Sequence, residues 1–93
     1  MKNIDRFNEF LDNGHYTEYN ICVSTKTFSY KPHHVVSSIS TSWECWDERE
    51  WINFDDEFQI YLEFDKANFE YYDNGCKIYN DWVTIEINID RVY

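Results

Sequence analysis

Val83, Ile85, Ile87 and Ile89 alternate with Thr84, Glu86, Asn88 and Asp90. A period of two puts the aliphatic side chains on one face and the polar ones on the other, the mark of a half-buried β-strand. Such a strand needs neighbours to pair its backbone and a layer to cover its apolar face, so it constrains the fold more than any other feature. The same period recurs upstream. Tyr19, Ile21 and Val23 alternate with Asn20, Cys22 and Ser24, and β-branched residues continue to Thr27. Val35, Ser37, Ile39, Thr41 and Trp43 alternate with Val36, Ser38, Ser40 and Ser42, predicting a second long strand with one polar face. Phe58, Ile60, Leu62 and Phe64 alternate with Gln59, Tyr61, Glu63 and Asp65. "FEYY" followed by "DNG" at 73–75 predicts a hairpin, with a short helix between Asp65 and Gly75 as the rival. Lys31-Pro32-His33 marks a turn or an edge strand.

The first segment has a different period. Ile4, Phe7 and Leu11 fall at i, i+3 and i+7, with Asn3 as N-cap and Gly14 past the end, which predicts a helix. With 93 residues there is room for one core, and 20% aromatic content both fills it and argues against disorder. The expected architecture is a single α+β domain over residues 1–93: an N-terminal helix followed by a five- or six-stranded, mostly antiparallel sheet, one face covered by the helix.

Charge is distributed unevenly. Eighteen acids against eight bases give −10, yet residues 19–43 hold no acid and do hold Lys26, Lys31, His33 and His34. Residues 44–73 hold eleven acids opposed only by Arg49 and Lys66, so nine of the ten net charges lie in thirty residues. Solubility alone explains a net charge but not its confinement to a third of the chain, which points to association. Nucleic acid and anionic membranes are disfavoured as direct ligands, because phosphate would be repelled. "MKNIDRFNEFLDNG" is broken by Asp5, Glu9 and Asp12 before an apolar signal region could form, and no apolar run is long enough for a membrane span. Cys22, Cys45 and Cys76 are an odd set without close pairing, as expected for free thiols in a reducing cytoplasm.

Catalytic and metal chemistry find little footing. His33 and His34 are adjacent and would point to opposite faces of a strand, so they cannot chelate together. The cysteines lack zinc-site spacing, and "DDE" at 55–57 lacks the alternating ligands of a calcium loop. A nuclease could draw on Asp55, Asp56, Glu63, Asp65 and Lys66, but Asp65 and Lys66 are adjacent and point apart, where an acid and lysine two residues apart would share a face. No motif flanks a nucleophilic cysteine, and two glycines give little scope for an oxyanion site. The expectation is a non-enzyme without cofactor or metal.

The stretch "WECWDEREWINFDDEF" at 43–58 packs seven carboxylates among three tryptophans and two phenylalanines. Strand alternation fails at Asp47, so residues 47–57 are expected to form an acidic connection with at most a helical turn. Glu63 and Asp65, on one strand face, would stand about 6.5–6.8 Å apart, near the interval between phosphates on a nucleic-acid strand. Trp43, Trp46, Trp51, Tyr61, Tyr71, Tyr72 and Tyr79 divide between core packing and interface anchoring.

These features, with "YLEFDKANFEYYDNG", resemble in composition the small acidic phage-encoded inhibitors of bacterial defence, the anti-CRISPR and anti-restriction DNA mimics. The resemblance implies a protein in the cytoplasm of a bacterial host that occupies the basic groove of a nucleic-acid-binding protein or nuclease complex. Immunity proteins of nuclease toxins and phage structural or assembly subunits, which would self-associate, are the alternatives. Glu44, Asp47, Glu48, Glu50, Asp55, Asp56, Glu57, Glu63 and Asp65 are the expected partner-facing carboxylates, with Trp46 and Trp51 as apolar anchors. Reversing Asp55, Asp56 and Glu57 to lysine is expected to abolish binding and leave the fold intact.

Overall fold

The computed structural model describes residues 2–11, 17–25, 29–44, 49–55 and 58–92; at 17, 29–34, 44, 91 and 92 it describes the backbone only. Helix α1 spans Asn3–Leu11, and eight strands follow: β1 Thr17–Thr25, β2 Ser29–Val36, β3 Ile39–Glu44, β4 Arg49–Phe54, β5 Phe58–Tyr61, β6 Asn68–Tyr72, β7 Gly75–Tyr79 and β8 Val83–Val92. A 3₁₀ turn, Phe64–Lys66, joins β5 to β6. The α+β class and the N-terminal helix agree with the sequence. The strands form two antiparallel sheets, a five-stranded one ordered β2-β1-β8-β7-β6 and a three-stranded one ordered β3-β4-β5.

The alternating strand β8 lies at the centre of the larger sheet, where Ile85 and Ile87 are fully buried. Strands β1 and β7 pair with it on either side, as in the Ile21–Ile87 and Ile78–Ile85 pairs. Strand β2 is an edge, and Pro32 falls inside a register shift there, between the pairs Ile21–His34 and Val23–Tyr30. An edge bulge is where a residue without a backbone N–H does least harm to a ladder.

Two expectations are corrected. Residues 35–43 do not form one strand. The chain turns at Ser37-Ser38 and passes from the larger sheet to the smaller. Residues 49–54, expected within an irregular connection, form β4, the central strand of the smaller sheet. Ile52 and Phe54 face the core and are fully buried, and Glu50 takes the same face at the strand end. There its Oε1 accepts a hydrogen bond from the Phe64 amide at 3.3 Å, which explains an acid in an apolar register.

Helix α1, at nine residues, is too short to be stable alone in water and depends on packing. Phe7 is fully buried, with ring centroids 6.0 Å from Phe64 and 5.9 Å from Phe69, and Phe10 lies 5.8 Å from Tyr71. The helix starts one residue earlier than its sequence signal, since the Lys2 carbonyl accepts the Arg6 amide at 3.1 Å. Asn3 uses its amide group elsewhere, donating to the Phe64 carbonyl at 2.8 Å. Gly14, the expected stop signal, lies outside the described residues. Buried residues from the helix and both sheets make one hydrophobic cluster.

The region from Asp65 to Gly75 is resolved in favour of the hairpin: β6 and β7 pair from Asn68–Tyr79 to Tyr72–Gly75 around Asp73-Asn74. Neither turn residue has positive φ, so this is not the primed turn that Asn-Gly favours. Gly75 is there for space. A Cβ at this position would come within 2.8 Å of both the Asn88 Oδ1 and the Ile87 carbonyl oxygen.

Candidate functional site

Antiparallel register assigns each residue of the smaller sheet to a face. Ile39, Thr41 and Trp43 of β3 lie opposite Phe54, Ile52 and Glu50 of β4, and Phe58 and Ile60 of β5 continue that face. The other face carries Ser40, Ser42, Arg49, Trp51, Asn53, Gln59 and Tyr61. Asn53 ties it together, donating to the Ser42 hydroxyl at 3.2 Å and accepting from the Gln59 amide at 2.6 Å. Trp51 meets Tyr61 edge-on at 5.6 Å between centroids, and the Arg49 guanidinium lies 5.8 Å from the Tyr61 ring centre. The half-buried Trp51 therefore belongs to an outer aromatic pair. Its indole N–H is buried with no acceptor among the described residues.

Of the expected partner-facing carboxylates, Glu50 and Asp55 bind backbone amides of their own chain. Glu50 binds the Phe64 amide, as described. Asp55 has φ of 50° and pins the sheet-to-sheet corner. Its Oδ1 accepts from the Ser37 amide at 3.1 Å, the Ser37 hydroxyl at 3.2 Å and the Ser38 amide at 2.8 Å. Aspartate tolerates this left-handed conformation better than most residues, and a carboxylate accepts several donors at once. Trp46, Asp47, Glu48, Asp56 and Glu57 lie outside the described residues, as does the side chain of Glu44.

Glu63 and Asp65 are both exposed, but they do not share a strand. Strand β5 ends at Tyr61, Glu63 precedes the 3₁₀ turn, and Asp65 lies within it. The phosphate-like interval expected of an extended strand therefore does not apply to this pair. Glu63 is instead held in place by its neighbours. It accepts from the Tyr61 hydroxyl at 3.1 Å and forms an ion pair with Lys66 at 3.0 Å. Hydrogen bonding from Lys66 and then from Tyr61 holds the Glu63 carboxyl below its usual range, while the same carboxylate raises Lys66. Desolvation and Glu63 together raise Tyr61. Every shift favours the protonation state already present at neutral pH, so the trio is a fixed charge arrangement and is poorly suited to moving a proton there.

A second tyrosine–carboxylate pair stands on β6, where the Tyr72 hydroxyl donates to Glu70 at 3.2 Å. Residues two apart on a strand share a face, so the hydroxyl fixes an acid that would otherwise sample many rotamers. Tyr72 is more than half exposed.

Sequence reasoning missed Trp82, which stands 47% exposed in the β7–β8 connection. Asn80 builds this turn, its Oδ1 accepting the amides of Trp82 at 3.0 Å and Val83 at 2.9 Å. The signal was available, since Asn-Asp before an alternating run is a turn signature. Between this turn and the 3₁₀ turn lies a hollow of about 210 Å³, lined by Tyr61, Glu63, Lys66, Asn80, Asp81 and Trp82. Among the described residues no three His, Cys, Asp or Glu side chains gather as a metal site would require, and no helix is long and apolar enough to cross a membrane. Comparison with known proteins returns no matching family model, no matching curated protein and no matching solved structure.

Proposed function

We propose that the protein is a non-enzymatic inhibitor. It binds a basic, nucleic-acid-handling protein, such as a CRISPR or restriction nuclease complex in the bacterial cytoplasm, and blocks that partner's nucleic-acid site. One observation carries this reading: Glu63, Asp65, Glu70 and Asp73 are all exposed within eleven consecutive residues whose only base is Lys66. Two of the four are positioned by tyrosine hydroxyls, which lowers the entropy cost of using them in an interface. Complementary charge accelerates encounter with a basic groove, and exposed aromatics supply apolar contact. Glu50 and Asp55 leave the partner-facing set, because both are engaged with the backbone of their own chain.

The test is capture from bacterial lysate with mass spectrometry, comparing the wild type with Asp65→Lys/Glu70→Lys at two salt concentrations. The expected result is a basic nucleic-acid-handling protein that the wild type retains at low salt, loses as salt rises, and that the double variant fails to retain. Capture of no such protein by the wild type counts against the reading.

A further inference from the structure

We infer that the hollow beside Trp82 is a receptor for one arginine side chain of the basic partner, an inference that rests on the function proposed above. Tyr61 and Trp82 bring aromatic surfaces to it, and Glu63 and Asp81 bring carboxylates. Aromatic faces attract cations through their quadrupole, and a planar guanidinium both stacks on such a face and pairs with a carboxylate. At about 210 Å³ the hollow falls below the 300–1,000 Å³ or so typical of sites for whole small molecules. It suits a single side chain.

The charges divide unequally inside it. Glu63 is already paired with Lys66, in an ion pair whose lysine side chain is 81% exposed. Such pairs contribute little and exchange readily. Asp81 has no comparable partner among the described residues, so it is the carboxylate left to meet an incoming cation. Asn80 fixes the backbone of the turn that carries Trp82, and a second hollow of about 260 Å³ on the Ser24, Thr25 and Thr84 side leaves the indole standing between two depressions. An exposed indole carried on a fixed turn, with space on both sides, resembles the tryptophan anchors that dominate interface energetics.

The probe is a fluorescently labelled peptide of alternating arginine and glycine, with its citrulline counterpart as an uncharged isostere, titrated by anisotropy at low salt. Arginine peptide should bind and citrulline peptide should not. Trp82→Ala should weaken binding about ten-fold or more and Asp81→Asn about three- to ten-fold. Lys66→Gln, which removes the competing cation, should strengthen it about two- to three-fold. Asp90→Asn, which changes net charge as much as Asp81→Asn, should alter affinity less than two-fold. Circular dichroism melts confirm that each variant folds, and Asp81→Asn keeps the test decisive should Trp82→Ala not fold.

No detectable binding of the arginine peptide overturns the inference. So do equal binding of the citrulline peptide, wild-type affinity in Asp81→Asn, and an equal loss in Asp90→Asn, which would mean diffuse attraction to net charge. The two readings also separate. A nucleic-acid-handling partner captured equally well by wild type and Asp81→Asn leaves the proposed function standing and removes the arginine receptor. Arginine peptide held at Trp82 without any such partner in lysate does the reverse.

Discussion

The Asp55 carboxylate accepts the Ser38 amide at 2.8 Å while the Asp55 amide donates to the Ser38 carbonyl at 2.7 Å. This reciprocal pair fastens the corner where the chain leaves one sheet for the other to the end of β4. It also changes the meaning of an acid in the densest carboxylate run of the chain. Asp55→Ala removes three hydrogen bonds to a charged acceptor and leaves a residue poorly suited to positive φ, so it should cost about 2–4 kcal/mol. Asp55→Asn keeps an acceptor oxygen and should cost about 1 kcal/mol. Urea unfolding measures both. Reversal of Asp55 with its neighbours to lysine would therefore report on folding before it reported on binding.

Gly75 makes a second structural prediction. Gly75→Ala should destabilise by about 1–3 kcal/mol, because one of the two atoms its Cβ would meet is the Ile87 backbone oxygen in the central strand, which cannot swing away. Trimming the other obstacle, Asn88→Ala, should recover only part of the loss. Denaturant midpoints of the single and double variants test this coupling.

Phe7 anchors the helix to the rest of the core. Phe7→Ala should cost about 3–5 kcal/mol, since the void opens amid rings from the 3₁₀ turn and β6. Detachment of α1 should accompany it, seen as loss of far-ultraviolet helical signal before the sheets unfold.

Alkali should unfold the protein early. Burial pushes the Cys76 thiol up to about 12 from an ordinary 9.0, and pushes Tyr71 up to about 12 from 10.0. Both groups lose their protons more easily when unfolded, so the unfolded state binds fewer protons across this window and stability falls as pH rises. The contribution is intact below about pH 9, declines through pH 9–12, and should appear as a steadily falling melting temperature. In a Cys22→Ser/Cys45→Ser background, Cys76 should react with a thiol reagent at pH 8 only as fast as the protein opens.

Much of this fold is legible in the sequence where each strand has one apolar face. The β8 alternation and the helix around Phe7 follow from period, whereas the β6–β7 hairpin rests on the Asp73-Asn74-Gly75 turn signal, which leaves a short helix as its rival until the strand pairing decides. The pattern misleads where polar residues do structural work on an apolar register. Alternation fails at Asp47, and three residues on, Glu50 puts a further acid in line with Ile52 and Phe54, where it serves as acceptor for the Phe64 amide. Ser37 and Ser38 continue the alternation of their neighbours, yet Asp55, seventeen residues from Ser38, holds them in a corner. Local spacing carries no trace of such a contact. For the candidate site, acidity was legible in the sequence, but the division into acids that serve the fold and acids left exposed was not. Trp82 escaped notice because it stands apart from the charged run and is presented by a turn.

On the function proposed above, the acidic surface and a nucleic acid compete for the same basic site on a partner. Displacement decides this: the captured complex is titrated with the partner's nucleic acid at fixed salt, and release of this protein is followed by anisotropy. Competition gives full displacement, with an apparent affinity that falls in proportion to free nucleic acid and with no species containing all three components. A stable ternary complex at saturating nucleic acid would mean that the two ligands occupy separate sites and would overturn the proposed function.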